Sequence, residues 1–177
     1  MDQKYRQQLT PMMEKYGRDA KEVQELWKTI KYTDSLNIIV VKLILDKKGW
    51  LSEKEIGRIA NDAIFLTIQH TKPEIQRELL PIMREAANNN RARKSALALL
   101  EDRVALGQGQ KQIYGSQVGW DTENETYYVL PLISPDSVNF RRAKMGLGKL
   151  EYYVEPYGIK WDVEEYKRML PLLEEKH

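Results

Sequence analysis

The sequence predicts a mainly α-helical, compact multi-helix domain with one small β-hairpin near residues 112–132. Three observations carry this. Up to Gly107, apolar residues recur three and four apart, the period of an amphipathic helix. Capping boxes and glycines punctuate that stretch as helix starts and stops. Beyond Gly107 the period changes: Gln112 to Trp120 and Thr126 to Leu132 are rich in β-formers, with polar turn residues 121–125 between them. The 177 residues contain no internal repeat and no long linker, so a single domain, 1–177, is expected.

Each element has its own signal. Val23, Leu26, Trp27 and Ile30 define a first amphipathic helix. Asp34 to Lys48 places Leu36, Ile39, Val40, Leu43 and Ile44 on one face, with Ile38, Val41 and Leu45 elsewhere. That pattern predicts the most buried helix, stopped by Gly49. Ser52 and Glu55 form a capping box that opens a helix bearing Ile56, Ile59, Ala60, Ala63, Ile64 and Ile68 and ending near His70. Thr71 and Glu74 form a second box, with Pro73 in the first turn. The helix that follows carries Leu79, Leu80, Ile82 and Met83, is kinked at Pro81, and breaks at Asn88 to Asn90. Lys94 to Leu106 presents Leu97, Leu100 and Val104 together and ends at Gly107. After the hairpin, Pro135 to Lys144 reads as a short helix closed by Gly146. Asp162 and Glu165 open a last helix, 162–173, bearing Tyr166, Met169 and Leu170.

Composition excludes several functions. Lys plus Arg number 28 and Asp plus Glu 26, a net charge of +2, which is not that of a dedicated nucleic-acid binder. The apolar run Leu36 to Leu45 is interrupted by Asn37 and Lys42 and falls short of the ~20 residues of a membrane span. Cysteine is absent, so there is no disulfide, thiolate-ligated metal or Cys nucleophile. A two-His metal site would have to join His70 to the terminal His177, so neither metal nor cofactor is expected. No P-loop, dinucleotide fingerprint, H-E-x-x-H or G-x-S-x-G is present. The chain as written reads as cytoplasmic, or as periplasmic or exported if an N-terminal signal was trimmed. Oligomeric state is not encoded in any motif.

The run Gln112-Ile113-Tyr114-Gly115-Ser116-Gln117 resembles the Q-I-Y-G-T-Q signature of the DUF6624 family of bacterial proteins of unknown function. Companions follow in order. Asp34 and Asn37 resemble its D-x-x-N, Gly49-Trp50 part of its Y-G-W-P, and Gln69-His70 its Q-H. Ala98 to Arg103 resembles its A-L-L-x-D-R, and Arg141 to Leu147 its R-R-A-x-x-G-L. The resemblance covers roughly residues 2–153. Ser116 stands in place of threonine, Leu51 in place of proline, Thr71-Lys72 where an acidic residue is common, and Gly148-Lys149 where a Pro-rich step is usual. The resemblance implies a shared fold and pocket, and no activity.

The candidate site residues follow from chemistry. His70, at a helix C-terminus that favours the protonated ring, is a candidate general acid/base, with Asp102 to orient it; the alternative, and the commoner role for a lone His, is a capping or hydrogen-bonded structural one. Arg103 suits either an anion or a structural ion pair. In an extended segment Gln112, Tyr114 and Ser116 share one face, and a bulge at Gly115 brings Gln117 toward Tyr114. Two amides and a phenol recognise a polar ligand or tie the hairpin to the helices. Asp34 and Asn37 form a polar notch partnered by Arg103, Arg141 or Gln112, unless Asp34 is an exposed N-cap. Gln69 and Arg142 complete the ligand-binding set. The clusters Arg91, Arg93, Lys94 and Arg141, Arg142, Lys144, Lys149 read first as solvated faces. The leading function is binding of an unknown small polar or anionic molecule in a pocket between helices and hairpin. The alternatives are a hydrolase-like enzyme using His70, and a structural or protein-interaction domain.

Overall fold

The computed structural model describes residues 2–175, and His177 lies outside them. The chain is mainly helical with one two-stranded antiparallel sheet. It divides into two compact units, one ending at Ile82 and the other beginning at Met83.

The first unit contains α1 (Asp2–Arg6), α2 (Leu9–Tyr16), α3 (Lys21–Lys48), α4 (Glu53–Ile56), α5 (Arg58–Gln69) and the first turns of α6 (Pro73–Asn88). The two helices expected between Val23 and Lys48 are one: nothing between Ile30 and Asp34 breaks the backbone, and α3 runs for 28 residues to Gly49, whose N–H caps the Leu45 carbonyl. Leu26 and Ile30 of α3 pack with Leu9 of α2. Farther along, α3 buries Ile38, Val41 and Leu45. The face expected inside, Leu36, Ile39, Val40 and Leu43, is exposed. Both faces are apolar enough to be cores, and packing against α1, α2 and α5 selects one.

The Ser52–Glu55 capping box forms, but the helix it opens lasts four residues. Gly57, at φ +81°, ψ +158°, then breaks the chain before α5 starts. Ile59, expected to face inward, is 88% exposed as a result. The second expected box does not form. The Thr71 hydroxyl donates to the Ile68 carbonyl at 2.8 Å, and α6 starts with Pro73 at its first position, where a missing N–H costs nothing. Pro81 lies inside α6, one residue before the last residue of the first unit.

The second unit holds the rest of α6, α7 (Lys94–Gly107), β1 (Val118–Asp121), β2 (Thr126–Val129), α8 (Val138–Lys144), α9 (Leu150–Val154) and α10 (Val163–Glu175). The strands pair with Val118 opposite Val129 and Asp121 opposite Thr126. The hairpin is therefore shorter than expected. Residues 112–117 are no strand, although Gln112 makes an isolated bridge to Leu132. The core is Val129, Leu132, Val138, Leu150, Val154, Tyr166 and Leu173, so hairpin, α8, α9 and α10 close on one another. As expected, α7 buries Leu97, Leu100 and Val104, and Asp162 caps α10 by accepting the Glu165 N–H at 2.9 Å. Among the described residues no helix is long and apolar enough to cross a membrane.

Adjacent valines on α3 test the face assignment. Val41 is 8% exposed and Val40 56%. Val41→Ala is expected to cost about 1–2 kcal/mol, the lost methyl burial less the better helix propensity of alanine. Val40→Ala should stay within about 0.5 kcal/mol of wild type. Urea unfolding reads both, and equal effects would mean that the buried face is wrongly assigned.

Candidate functional site

The site builds outward from Asp102 on α7. The helix places this carboxylate on the same buried side as Ala98 and Ala105, and it is 0% exposed. A buried carboxylate demands donors. It finds them in the main chain of the following loop: Oδ1 accepts the N–H groups of Ile113 (2.6 Å) and Tyr114 (2.9 Å), and Oδ2 that of Ser116 (2.9 Å). Wrapping three N–H groups around one carboxylate requires a turn, not a strand. Gly115 makes the turn at φ +67°, where a Cβ would also press on Leu150 at 3.1 Å. Burial pushes the Asp102 pKa above the usual carboxylate value, and the three donors pull it back.

The carbonyls of this loop point to cations and hydroxyls. Arg141 Nε donates to Ile113 O at 2.7 Å, Arg142 Nη1 to Tyr114 O at 2.8 Å, and the Tyr153 hydroxyl to Ser116 O at 2.8 Å. Arg141 also reaches the Ile133 and Ser134 carbonyls and the Ser137 hydroxyl. Arg142 is 2% exposed. Its Nε donates to Gly148 O at 2.6 Å, and the guanidinium lies over the Tyr153 ring, 4.9 Å from the centroid. These two arginines are therefore not the solvated face expected from composition. Each is drawn inward by a row of carbonyls that sequence does not reveal.

The remaining signature residues bond to one another and to the hairpin. Gln112 is fully buried. Its Oε1 accepts the Gln117 N–H at 2.9 Å, and its Nε2 donates to the carbonyls of Gln117 (3.0 Å) and Leu130 (2.8 Å). Gln117 Nε2 donates to Ser116 O and Oγ. The Tyr114 hydroxyl donates to Glu101 Oε2 at 3.1 Å, and Arg84 holds the other oxygen of Glu101 at 2.7 Å. Burial and the Glu101 charge push Tyr114 up to about 12. Burial and Tyr157 push Tyr153 up to about 12, while Arg142 and Arg103 pull it down. Arg103 itself is half-buried on α7.

The structure thus brings Asp102, Gln112, Tyr114, Gln117 and Arg142 into one network. Asp34, Asn37, Gln69 and His70 belong to the first unit. Asp34 sits inside α3, so it is no N-cap, and it pairs with Arg6 at 2.5 Å. Asn37 is half-buried on the same helix. Gln69 is buried at the end of α5, and its carbonyl accepts from Gln76 Nε2 at 2.8 Å. His70 is half-buried at the C-cap of α5.

Sequence reasoning missed Tyr153, Arg141 and Glu101 as network members, and the short helix α9 that carries Tyr153. It also missed two cavities of about 450 and 440 Å³ in the second unit, both lined by Glu151 and Trp161. The first also touches Glu155 and Lys160, the second Asp136, Asn139, Asp162 and Glu164. Residues 112–117 line neither. Asn139 Nδ2 donates to both Glu151 oxygens (3.0 and 2.9 Å), and its Oδ1 accepts the Leu150 N–H. Lys167 bridges Asp136 (2.8 Å) and Glu164 (2.7 Å) and lowers the Asp136 pKa. Tyr152, which lines the first cavity, belongs to the ring-rich stretch of the sequence. Among the described residues no group of three or more His, Asp or Glu side chains could hold a metal ion.

A family described as one of unknown function, DUF6624, matches residues 1–162, so α10 begins where the match ends. No curated protein and no solved structure matches the chain.

Two outcomes follow from the network. Asp102→Asn keeps the shape but turns an amide NH₂ toward a main-chain donor. It should cost about 2–3 kcal/mol in urea unfolding and speed hydrogen exchange at Ile113, Tyr114 and Ser116, leaving α3 amides unchanged. Unchanged exchange at those three amides would deny Asp102 its anchoring role. The raised phenols set an alkaline limit. Their folded pKa of about 12 exceeds the ordinary 10, so the folded state binds more protons above pH 10. The phenols' contribution to stability should be flat below pH 10 and fall as pH rises from 10 through 12. Tyr114→Phe and Tyr153→Phe should each make that fall shallower in pH-dependent denaturation.

Proposed function

Given that the chain belongs to the DUF6624 family, whose function is unknown, we propose that it is a ligand-recognition module with a rigid frame and a separate seat. The frame is Asp102, Gln112, Tyr114, Gln117 and Arg142. Its hydrogen-bonding groups serve main-chain partners, one another and the Glu101 carboxylate. The seat is the pair of cavities sharing Glu151 and Trp161, and that shared lining is the observation that carries the reading. Volumes near 450 Å³ fall in the range of small-molecule sites. An indole wall with carboxylates suits a small polar ligand bearing a cationic group, held by cation–π and ionic contact, rather than an anion. Glu151 supports this role: its hydrogen bonds come from the neutral Asn139 amide, and its carboxylate also acts on the buried Arg142 only at a distance.

In this reading Asp102 anchors the loop. Hydrolysis by His70 and Asp102 draws less support, because both Asp102 oxygens are engaged by main-chain donors. The anionic ligand expected at Arg103 and Arg142 draws less support too, because Arg142 is buried on carbonyls and a ring.

Thermal shift with choline, arginine, sucrose and citrate tests the proposal. A cationic probe at about ten times its Kd should raise Tm by about 3–5 °C. Sucrose and citrate should not. Glu151→Gln, which can still accept from Asn139, should remove the shift while keeping the unliganded Tm. A shift from citrate alone, lost in Arg103→Gln, would return the site to the arginines. No shift from any probe would sink the recognition reading for these chemistries.

A further inference from the structure

The exposed face of α3 carries an order of its own. Tyr32, Leu36, Ile39 and Leu43 are 47% to 66% exposed and follow one another at spacings of four, three and four. That is the a/d alternation of a coiled-coil seam, and its occupant is another helix. Val40 broadens the stripe on one side. The opposite side of α3 is already committed to the first unit through Ile38, Val41 and Leu45. The seam runs along a helix roughly 42 Å long at 1.5 Å per residue. It leaves on the order of a few hundred Å² of apolar surface in water, the scale that marks an interaction site.

We propose that this seam is a homodimer interface in which α3 packs antiparallel against α3 of a second copy. The seam is complementary to itself in one register. With Leu36 set against the partner's Ile39, Tyr32 falls against the partner's Leu43, and twofold symmetry repeats both pairs. Four consecutive layers are then apolar on both sides. The next layer outward at each end sets Thr29 against the partner's Asp46, so the apolar stretch stops in both copies at the same place. Beside the seam, Ser35 comes opposite the partner's Lys42, and Thr33 opposite the partner's Val40. No like charges face each other there. Lys28 lies next to the partner's Asp46. The register is therefore set by apolar matching and by charge at its ends. The modest area makes the dimer a concentration-dependent one. This inference stands apart from the ligand seat, which is confined to the second unit.

Sedimentation velocity over ~1 to ~500 μM protein tests the dimer. Wild type should pass from monomer to dimer with a Kd on the order of 10 μM. Leu36→Asp and Ile39→Asp, both at exposed positions, should keep the helical circular dichroism and raise that Kd at least about tenfold. Orientation is read with introduced thiols, which are unique reporters because the chain has no cysteine. Tyr32→Cys mixed with Leu43→Cys should oxidise to a covalent heterodimer, whereas neither variant alone should crosslink efficiently. A wild-type monomer at every concentration would overturn the proposal. So would a dimer that tolerates both aspartates, or self-crosslinking of Tyr32→Cys that matches the mixture.

Discussion

The second unit is organised around one unfavourable act, the complete burial of the Asp102 carboxylate. The charge can be kept only if donors converge on it, and the nearest supply is the main chain of residues 113–116. Once those N–H groups turn inward, their carbonyls must turn outward, and Arg141, Arg142 and Tyr153 meet them from α8 and α9. One peptide segment thus lies between a buried anion and a buried cation. Its dipoles are aligned with both. The arrangement explains why Arg142 can be almost inaccessible with no direct carboxylate partner of its own: main-chain dipoles, the Tyr153 ring and the more distant Asp102 share its compensation.

Much of the fold was legible because it depends on local chemistry. The Ser52–Glu55 box, the stop at Gly49, the inward face of α7 and the Asp162 cap are all decided within a few residues, and all are present. The failures have a common cause, which is that the deciding partner lies elsewhere. Periodicity finds both apolar faces of α3, but only α1, α2 and α5 decide which is buried. Apolar spacing continues smoothly through Gly57, although the backbone there leaves the helical region. Residues 112–117 alternate like a strand, and their hydrogen bonds are claimed by a carboxylate ten residues upstream of Gln112. For the site, Asp102, Gln112, Tyr114, Gln117 and Arg142 could be grouped from the sequence, but their role could not. Amides, phenols and guanidinium groups look the same on paper whether they await a ligand or already serve a backbone.

That distinction separates rigidity from recognition. Groups that bond to main chain cannot also adapt to a guest, so residues 112–117 are poorly suited to binding one. The cavities lie instead beside α9, one against the segment that leads to α10 and the other between α8, α9 and the start of α10, and Glu151 and Trp161 line both. Arg141, Arg142 and Tyr153 tie α8 and α9 to the loop that Asp102 anchors, so the geometry of the proposed seat would be inherited from Asp102 without Asp102 touching it.

The hairpin adds a row of rings. Trp120 meets Tyr127 edge-on at 4.7 Å, Tyr127 meets Tyr157 at 5.4 Å, and Tyr157 meets Tyr153 at 6.1 Å, beneath the Arg142 guanidinium. Rings this close, fixed at oblique angles, couple their electronic transitions, and the handedness of the row becomes an optical property of the folded protein. The aromatic circular dichroism of this chain should therefore carry a signal from the hairpin and α9 together. The order of the frame can be followed by light alone, without a label.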